Sequence, residues 1–311
     1  MLADSRAGAP PATGAPAAGR AVCVDYYRYH GLGNDYLVID PRETATPITP
    51  AAVRLICDRH FGLGSDGILL GPLFLDPDQP HRASVRIFNP DGGEAEKSGN
   101  GTRIFARYLV DAHDQSVGQR FVIGTAGGPV SALVSDPRHR IEMGMGTVSF
   151  HSTAVGMAGP DREVVSESLA VKGRPFAITA ASIGNPHCVV PVPRATAALA
   201  QELGPAIESH PAFRQRTNVQ LLEVIGRASI RIEIWERGAG YTLASGSSAS
   251  AAAAAAVRLG LADRQLKVHM PGGSLQVAVA PDWSVTLVGP VEAVGSGYWA
   301  PDFLDRLAAA G

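Results

Sequence analysis

Two short stretches carry residues whose types and spacing could move a proton. Lys97-Ser-Gly-Asn-Gly-Thr-Arg103 and Ala244-Ser-Gly-Ser-Ser-Ala249 each set a serine and a glycine directly before a small-residue, helix-forming run. The first N–H groups of a helix have no intrahelical acceptor, and the helix dipole favours an anion beside them. Two such starts facing each other could grip one carboxylate from both sides, with Gly99-Asn100 and Gly246-Ser247 as the cradle. They would also stabilise charge that spreads into that carboxylate when the adjacent carbon loses its proton. Ser98 and Ser245, at the tips of the turns, would flank the same carbon on opposite faces. One face then takes a proton while the other returns one. Both serines are equally suited to capping their helices, and a cap can also line a site.

The surroundings of the two turns echo each other. Gly33-Asn34-Asp35 stands upstream of Ser98 at nearly the distance that Gly184-Asn185-Pro186-His187 stands upstream of Ser245. A polar residue precedes each serine by nine positions, Asn89 in one case and Glu236 in the other. Matching offsets in the same order read as a duplicated unit. Around it, Tyr36–Ile39, Ser84–Phe88, Phe121–Ile123, Ile230–Ile234 and Ser284–Val288 alternate or are β-branched and are expected as strands. Helices are expected near Pro50–Cys57, Gly101–Asp111, Ala195–Leu203, Ala249–Leu259 and Phe303–Ala309. Many strands around few helices argue for an α+β fold. The run Ala249–Ala256 has so little side-chain volume that it fits inside a curled sheet. Arg258-Leu259-Gly260 gives it a basic last turn and a glycine stop.

Composition narrows the partners. The 311 residues are 45% hydrophobic and 18% charged, the balance of a folded chain long enough for two domains. A net charge of -2 offers nothing to nucleic acid or an anionic membrane surface. The longest apolar run, Ala251–Val257, falls far short of the roughly 20 residues that span a bilayer. Three cysteines, Cys23, Cys57 and Cys188, with no CxxC spacing argue against a metal site or a disulfide framework. Reduced thiols in a cytoplasmic protein follow. Residues 1–21, rich in Ala, Pro and Gly, read as a disordered tail rather than a secretory signal. The expected organisation is an N-terminal domain over 22–147, completed by 290–311, and a C-terminal domain over 148–289. A homodimer is compatible with this.

His30-Gly-Leu-Gly-Asn-Asp35, Asp58-Arg-His-Phe-Gly-Leu-Gly-Ser-Asp-Gly67, Arg86-Ile-Phe-Asn-Pro-Asp-Gly92, Ser98-Gly-Asn-Gly101, Gly184-Asn-Pro-His187, Glu236-Arg-Gly-Ala-Gly240 and Ser245-Gly-Ser247 together resemble the diaminopimelate epimerase family, in family order. The resemblance implies two pseudo-symmetric domains, each a curled mixed sheet or barrel around a central helix, with the site in the cleft. It implies a small-molecule amino-acid substrate and neither pyridoxal phosphate nor metal. By the same resemblance Asn34, Asn89, Asn185, Asn218, Glu236 and Arg237 would hold the substrate. Glu236 and Arg237 would read its non-reacting ammonium and carboxylate, a pairing that suits a zwitterion. His187 would match a histidine near the reacting centre.

The chain departs from the family where the chemistry happens, because the resemblance implies cysteines at the positions of Ser98 and Ser245. A serine hydroxyl is weaker than a thiol by roughly five pKa units, so its alkoxide costs about 7 kcal/mol more. A helix start returns only about 1–2 kcal/mol of that. Three readings stay open. The first is an isomerase with non-thiol bases, drawn from His187, Glu94, Glu96 and Glu236, acting on an easier proton such as that of a double-bond or tautomer shift. Relatives of this fold in phenazine and alkylproline pathways resemble such chemistry. The second is a diaminopimelate epimerase, as a natural variant or a cysteine-to-serine form. The third is an amino-acid-binding protein of the same fold without catalysis.

Overall fold

The computed structural model describes residues 24–44, 46–73 and 82–310; the expected tail over 1–21 and Cys23 lie outside them. The first half runs β1 (Tyr26–Gly31), β2 (Asn34–Ile39), α1 (Pro50–Cys57), β3 (Ile68–Leu70), β4 (Arg82–Ser84), β5 (Arg86–Phe88), β6 (Glu94–Ala95), α2 (Gly99–Ala112), β7 (Arg120–Thr125), β8 (Gly128–Asp136) and β9 (Arg140–Thr147). The second runs β10 (Glu167–Val171), β11 (Arg174–Ser182), β12 (Pro186–Pro191), α3 (Ala197–Glu208), β13 (Asn218–Gly226), β14 (Ser229–Glu236), β15 (Gly240–Thr242), α4 (Gly246–Arg258), β16 (Gln265–Met270), β17 (Gly273–Val279) and β18 (Ser284–Gly289). The chain ends with β19 (Glu292–Gly297) and α5 (Pro301–Ala310).

The pairing pattern repeats. In the first half β2 pairs antiparallel with β1 and, across the α1 crossover, parallel with β3; β3 then pairs antiparallel with β5 and β5 with β6. In the second half β12 pairs antiparallel with β11 and, across α3, parallel with β13; β13 pairs with β14 and β14 with β15. The following meanders, β7-β8-β9 and β16-β17-β18, also match. This is the fold of two pseudo-symmetric curled mixed sheets, each around one helix. The meanders meet where β9 pairs antiparallel with β18, so one long sheet runs through both halves. Beyond β18 the chain returns to the first half, where β19 pairs β1 and Trp299 and Phe303 pack on the α1 layer.

Local sequence explains the central helices. Thr49 caps α1 through the Ala52 N–H, and Pro50 sits at its first position, where no N–H is needed. In α4, Ala249 and the alanines from Ala251 to Ala256 are fully buried, enclosed by strands of the second half. A side chain larger than a methyl would overpack that interior. Gly260 takes φ +70° immediately after the C-cap Leu259. Both site helices begin earlier than the apolar pattern suggests, at Gly99 and Gly246, because the serines one residue before them supply the caps. The stretch expected as one strand over Ser84–Phe88 is two. Ser84 pairs with Gly124 of the long sheet, while Arg86 to Phe88 pair with β3 of the small one, so the chain changes sheets at Val85.

Candidate active site

The starts of α2 and α4 touch. An ideal Cβ built on Gly99 would lie 3.2 Å from the Cα of Gly246, and one on Gly246 would lie 3.2 Å from the Cα of Gly99. Only hydrogen at both positions lets the backbones approach this closely. Ser98 Oγ accepts the Gly101 N–H at 3.0 Å, and Ser245 Oγ accepts the Ser248 N–H at 3.4 Å. Those caps satisfy the third N–H of each helix. The N–H groups of Gly99, Asn100, Gly246 and Ser247 have no acceptor among the described residues. Two helix starts with four N–H groups free of acceptors lie side by side, an arrangement that favours a bound anion.

A buried cation lies behind it. Arg103 is fully buried and no carboxylate pairs with it among the described residues. Its Nη2 donates to Asn100 Oδ1 at 3.0 Å and its Nε to the Pro290 carbonyl at 3.2 Å, while Nη1 has no partner. Burial pulls its pKa down to about 10, which still leaves it charged at neutral pH. Gly31 makes room for it, since a Cβ there would sit 2.7 Å from Nη2. Asn100, oriented by Arg103, donates through Nδ2 to Asn34 Oδ1 and to the Ala244 carbonyl, both at 3.1 Å. One amide thereby ties the two turns together. Asn34 in turn donates to Asp66 at 2.9 Å.

The remaining expected residues fall into two groups. Asn185, Ser247 and Glu236 are half-buried at the same junction, and Arg237 and Asn89 are exposed. The Arg237 guanidinium donates to the Gln215 carbonyl at 3.1 Å and has no carboxylate partner among the described residues. Asn218 is buried, with Nδ2 donating to the Pro186 carbonyl at 2.8 Å and Oδ1 accepting the Arg237 backbone N–H at 2.9 Å. Its amide holds the Glu236-Arg237 turn rather than facing solvent. The side chains of Asn34 and Asn100 are likewise spent on protein partners.

Two candidate bases are engaged by their surroundings. His187 is fully buried, its Nε2 donating to Asn185 Oδ1 at 2.9 Å and its Nδ1 accepting from Gln220 at 3.1 Å. Burial drives its pKa down to about 3, so the neutral ring orients Asn185 and has no free nitrogen for a substrate. Glu94 makes a bidentate pair with Arg86, at 2.8 Å for the shorter contact, which holds its carboxyl below the usual range. Glu96 is exposed. Glu236 differs from all three. Burial raises its pKa, the Ser245 hydroxyl near it and the Thr242 hydroxyl, which donates to it at 3.3 Å, pull the other way, and Asp66 adds a smaller upward push. Ser245 thus caps its helix start with a carboxylate nearby that burial makes a stronger base than usual. Among the described residues no thiol competes: Cys57 and Cys188 are buried, and burial pushes Cys57 up to about 12 and Cys188 higher still.

Sequence reasoning passed over Tyr36 and Arg103. Tyr36 belongs to β2, is 6% exposed, and its Oη lies 3.2 Å from Ser98 Oγ. It reads from sequence as one more aromatic in an apolar strand, and only its hydroxyl distinguishes it. Arg103 closes the Ser-Gly-Asn-Gly-Thr-Arg turn, and a charge in an otherwise apolar helical stripe was the available signal.

No helix among the described residues is long and apolar enough to cross a membrane, and no group of three His, Cys, Asp or Glu side chains there could hold a metal ion. The family profile for diaminopimelate epimerase matches residues 26–151 and 179–294. A protein of Nostoc sp. called diaminopimelate epimerase 2 is 49% identical over 274 residues, 88% of this chain and 94% of that protein. The diaminopimelate epimerase of Nostoc punctiforme is 38% identical, over 89% and 99% of the two chains. Among solved structures, a hydroxyproline epimerase from Agrobacterium vitis with bound trans-4-hydroxy-L-proline superimposes with TM-score 0.63 at 15% identity, covering 91% of this chain and 97% of that one. A methylitaconate-delta-isomerase does so with TM-score 0.60 at 12% identity, over 90% and 96%. Matched across both halves and at such identity, the chain belongs to the diaminopimelate epimerase family, and it is a racemase/epimerase-type isomerase that works without pyridoxal phosphate.

Proposed function

We propose that this isomerase moves a proton on the carbon next to a substrate carboxylate, in an amino-acid or amino-dicarboxylate substrate, with hydroxyl and carboxylate groups in place of thiols. The observation that carries the reading is the contact between the two helix starts, with Glu236, whose pKa burial raises, near Ser245. The substrate carboxylate sits on the N–H groups of Gly99, Asn100, Gly246 and Ser247. As the carbon loses its proton to Ser245 Oγ, the Ser245 hydroxyl proton passes to the Glu236 carboxylate. The electron pair of the broken C–H bond spreads into the substrate carboxylate, where the helix starts and Arg103 stabilise it. The alkoxide that makes serine a poor base alone is never formed, because its proton leaves as the new one arrives. Arg237, exposed and without an anionic partner among the described residues, grips a second carboxylate.

Diaminopimelate carries the two carboxylates and two ammonium groups that this arrangement reads, and the 49% identical relative bears its name. A second reading, a double-bond or tautomer shift on an unsaturated amino acid, is favoured by the inequality of the two faces. A carboxylate backs Ser245 and a phenol backs Ser98, which suits one acid and one base rather than two interchangeable groups. Proton NMR in D2O with LL- and meso-diaminopimelate separates these readings. Loss of the α-proton signal supports epimerisation. Binding without exchange moves the reading to the tautomer shift, and absence of both binding and exchange removes diaminopimelate as substrate.

A further inference from the structure

Glu236 accounts for one face of the reacting carbon. The other face has Ser98, whose oxygen already accepts the Gly101 N–H at 3.0 Å, and Tyr36, whose Oη stands 3.2 Å from that oxygen. Tyr36 is held there firmly. Its ring is 6% exposed on a strand hydrogen-bonded on both sides, and it passes directly over Gly67. A Cβ at Gly67 would meet the ring at 2.7 Å, so the glycine is what lets the phenol reach Ser98. Burial raises the phenol's pKa to about 12, the Ser98 contact pulls it down, and charge on Glu236 and Asp66 pushes it up, so it is neutral at ordinary pH. A neutral phenol hydroxyl is therefore fixed beside one serine, and a carboxylate lies near the other.

Resting on the reading of this site as a proton-moving isomerase, we infer that Tyr36 is the positioning and proton-supplying residue behind Ser98, making that serine the acid face of the reaction. Either hydroxyl can donate across the 3.2 Å contact; in the arrangement with Tyr36 donating, the Gly101 N–H and the Tyr36 O–H take the lone pairs of Ser98, which then offers its own hydrogen to the substrate. In the returning step the Ser98 O–H bond breaks and a C–H bond forms at the substrate carbon, using the electron pair left by deprotonation. The Tyr36 hydroxyl proton moves to Ser98 Oγ, leaving a phenolate. The forward half-reaction has left Glu236 protonated, so net charge is unchanged: one proton has gone from Tyr36 to Glu236. Proton exchange with water after product release restores both groups. In the reverse direction each transfer runs backwards, with the Tyr36 phenolate as acceptor.

Tyr36→Phe keeps the ring that packs the strand and removes only the hydroxyl, so a role confined to packing predicts wild-type kinetics. The inference predicts a fall in α-proton exchange on LL- and meso-diaminopimelate of roughly 10²–10⁴-fold, the ordinary worth of a positioned acid. KM and calorimetric affinity should stay within about twofold, because no group that holds the substrate is touched. Ser98→Ala should produce a similar loss, and the double variant should be no slower than the worse single one, since both lie on one proton path. Rates within about threefold of wild type for Tyr36→Phe, or losses that multiply in the double variant, overturn the inference while leaving the isomerase reading intact. A wild-type enzyme that binds diaminopimelate without exchanging its α-protons removes the inference together with the epimerisation reading beneath it, leaving only the tautomer shift.

Discussion

Replacing Gly99 by alanine tests whether the two helix starts act as one anion site. The new methyl carbon would sit 3.2 Å from Gly246 Cα, 3.5 Å from Gly246 C and 3.0 Å from Met145 Cε. The methionine end can swing aside, but the backbone of α4 cannot without moving the helix. Carbon atoms rest at about 3.5–4.0 Å, so the helix starts must part by about 0.5 Å. Overpacking of this kind costs about 1–3 kcal/mol, and alanine returns up to about 1 kcal/mol through helix propensity. The net loss of stability is then about 0–3 kcal/mol, visible as a drop in Tm. The effect on ligand is larger. Two of the four N–H groups move out of good range of a carboxylate held by the other pair, and a hydrogen bond to a charged group is worth about 1.5–3 kcal/mol. Losing about 3 kcal/mol lowers affinity roughly 150-fold at about 1.4 kcal/mol per tenfold. Isothermal titration of meso-diaminopimelate, beside a thermal melt of the same sample, reads both quantities. Gly246→Ala should behave alike, and the double variant should lose less than the sum, because the first methyl has already opened the gap. Unchanged affinity in a variant whose melt has shifted would refute the idea that the paired starts hold the substrate carboxylate.

Four other outcomes follow from the same geometry. Glu236→Gln should abolish α-proton exchange, and the rise of wild-type activity with pH, set above the ordinary 4.5 of a glutamate, should vanish with it. Because burial raises the folded-state pKa, the stability this group lends is complete below 4.5 and is lost as pH climbs through the raised value; melts of Glu236→Gln should therefore exceed wild type at neutral pH and converge with it in acid. Arg237→Ala should weaken meso-diaminopimelate by roughly 30–150-fold for about 2–3 kcal/mol of charge-assisted pairing, with an unchanged melt because the side chain is exposed; equal affinity by calorimetry removes it from the site. Arg103→Met should keep the fold, since a buried unpaired cation is exchanged for an apolar side chain, yet lower affinity for the carboxylate about tenfold or more, and a titration matching wild type would show the charge is not felt there. Restoring cysteine at both Ser98 and Ser245 should raise α-proton exchange measured in D2O; no gain would mean the site addresses a different carbon.

Much of this protein was legible one residue at a time. Helix α1 lies where Thr49, Pro50 and the apolar stripe put it, and the alanine run of α4 announces a helix enclosed on all sides. The paired Ser-Gly turns and the matching offsets already implied two similar units with a site between them, because a duplicated chain repeats its spacing wherever it repeats its fold. What the residues could not report was who stands behind whom. The periodicity of β2 says that Tyr36 is buried, but that its hydroxyl meets Ser98 depends on α2 crossing that strand at one angle, with Gly67 clearing the way. His187 has the side chain of a base and Glu94 the charge of one. Full burial neutralises the first, and Arg86 across a strand pair occupies the second. Residue type is a local property, whereas basicity depends on the water excluded and the charges brought near, and both are decided only when distant segments pack. The touching glycines, the cation behind Asn100 and the sheet that joins the halves through β9 and β18 all belong to that second kind of information.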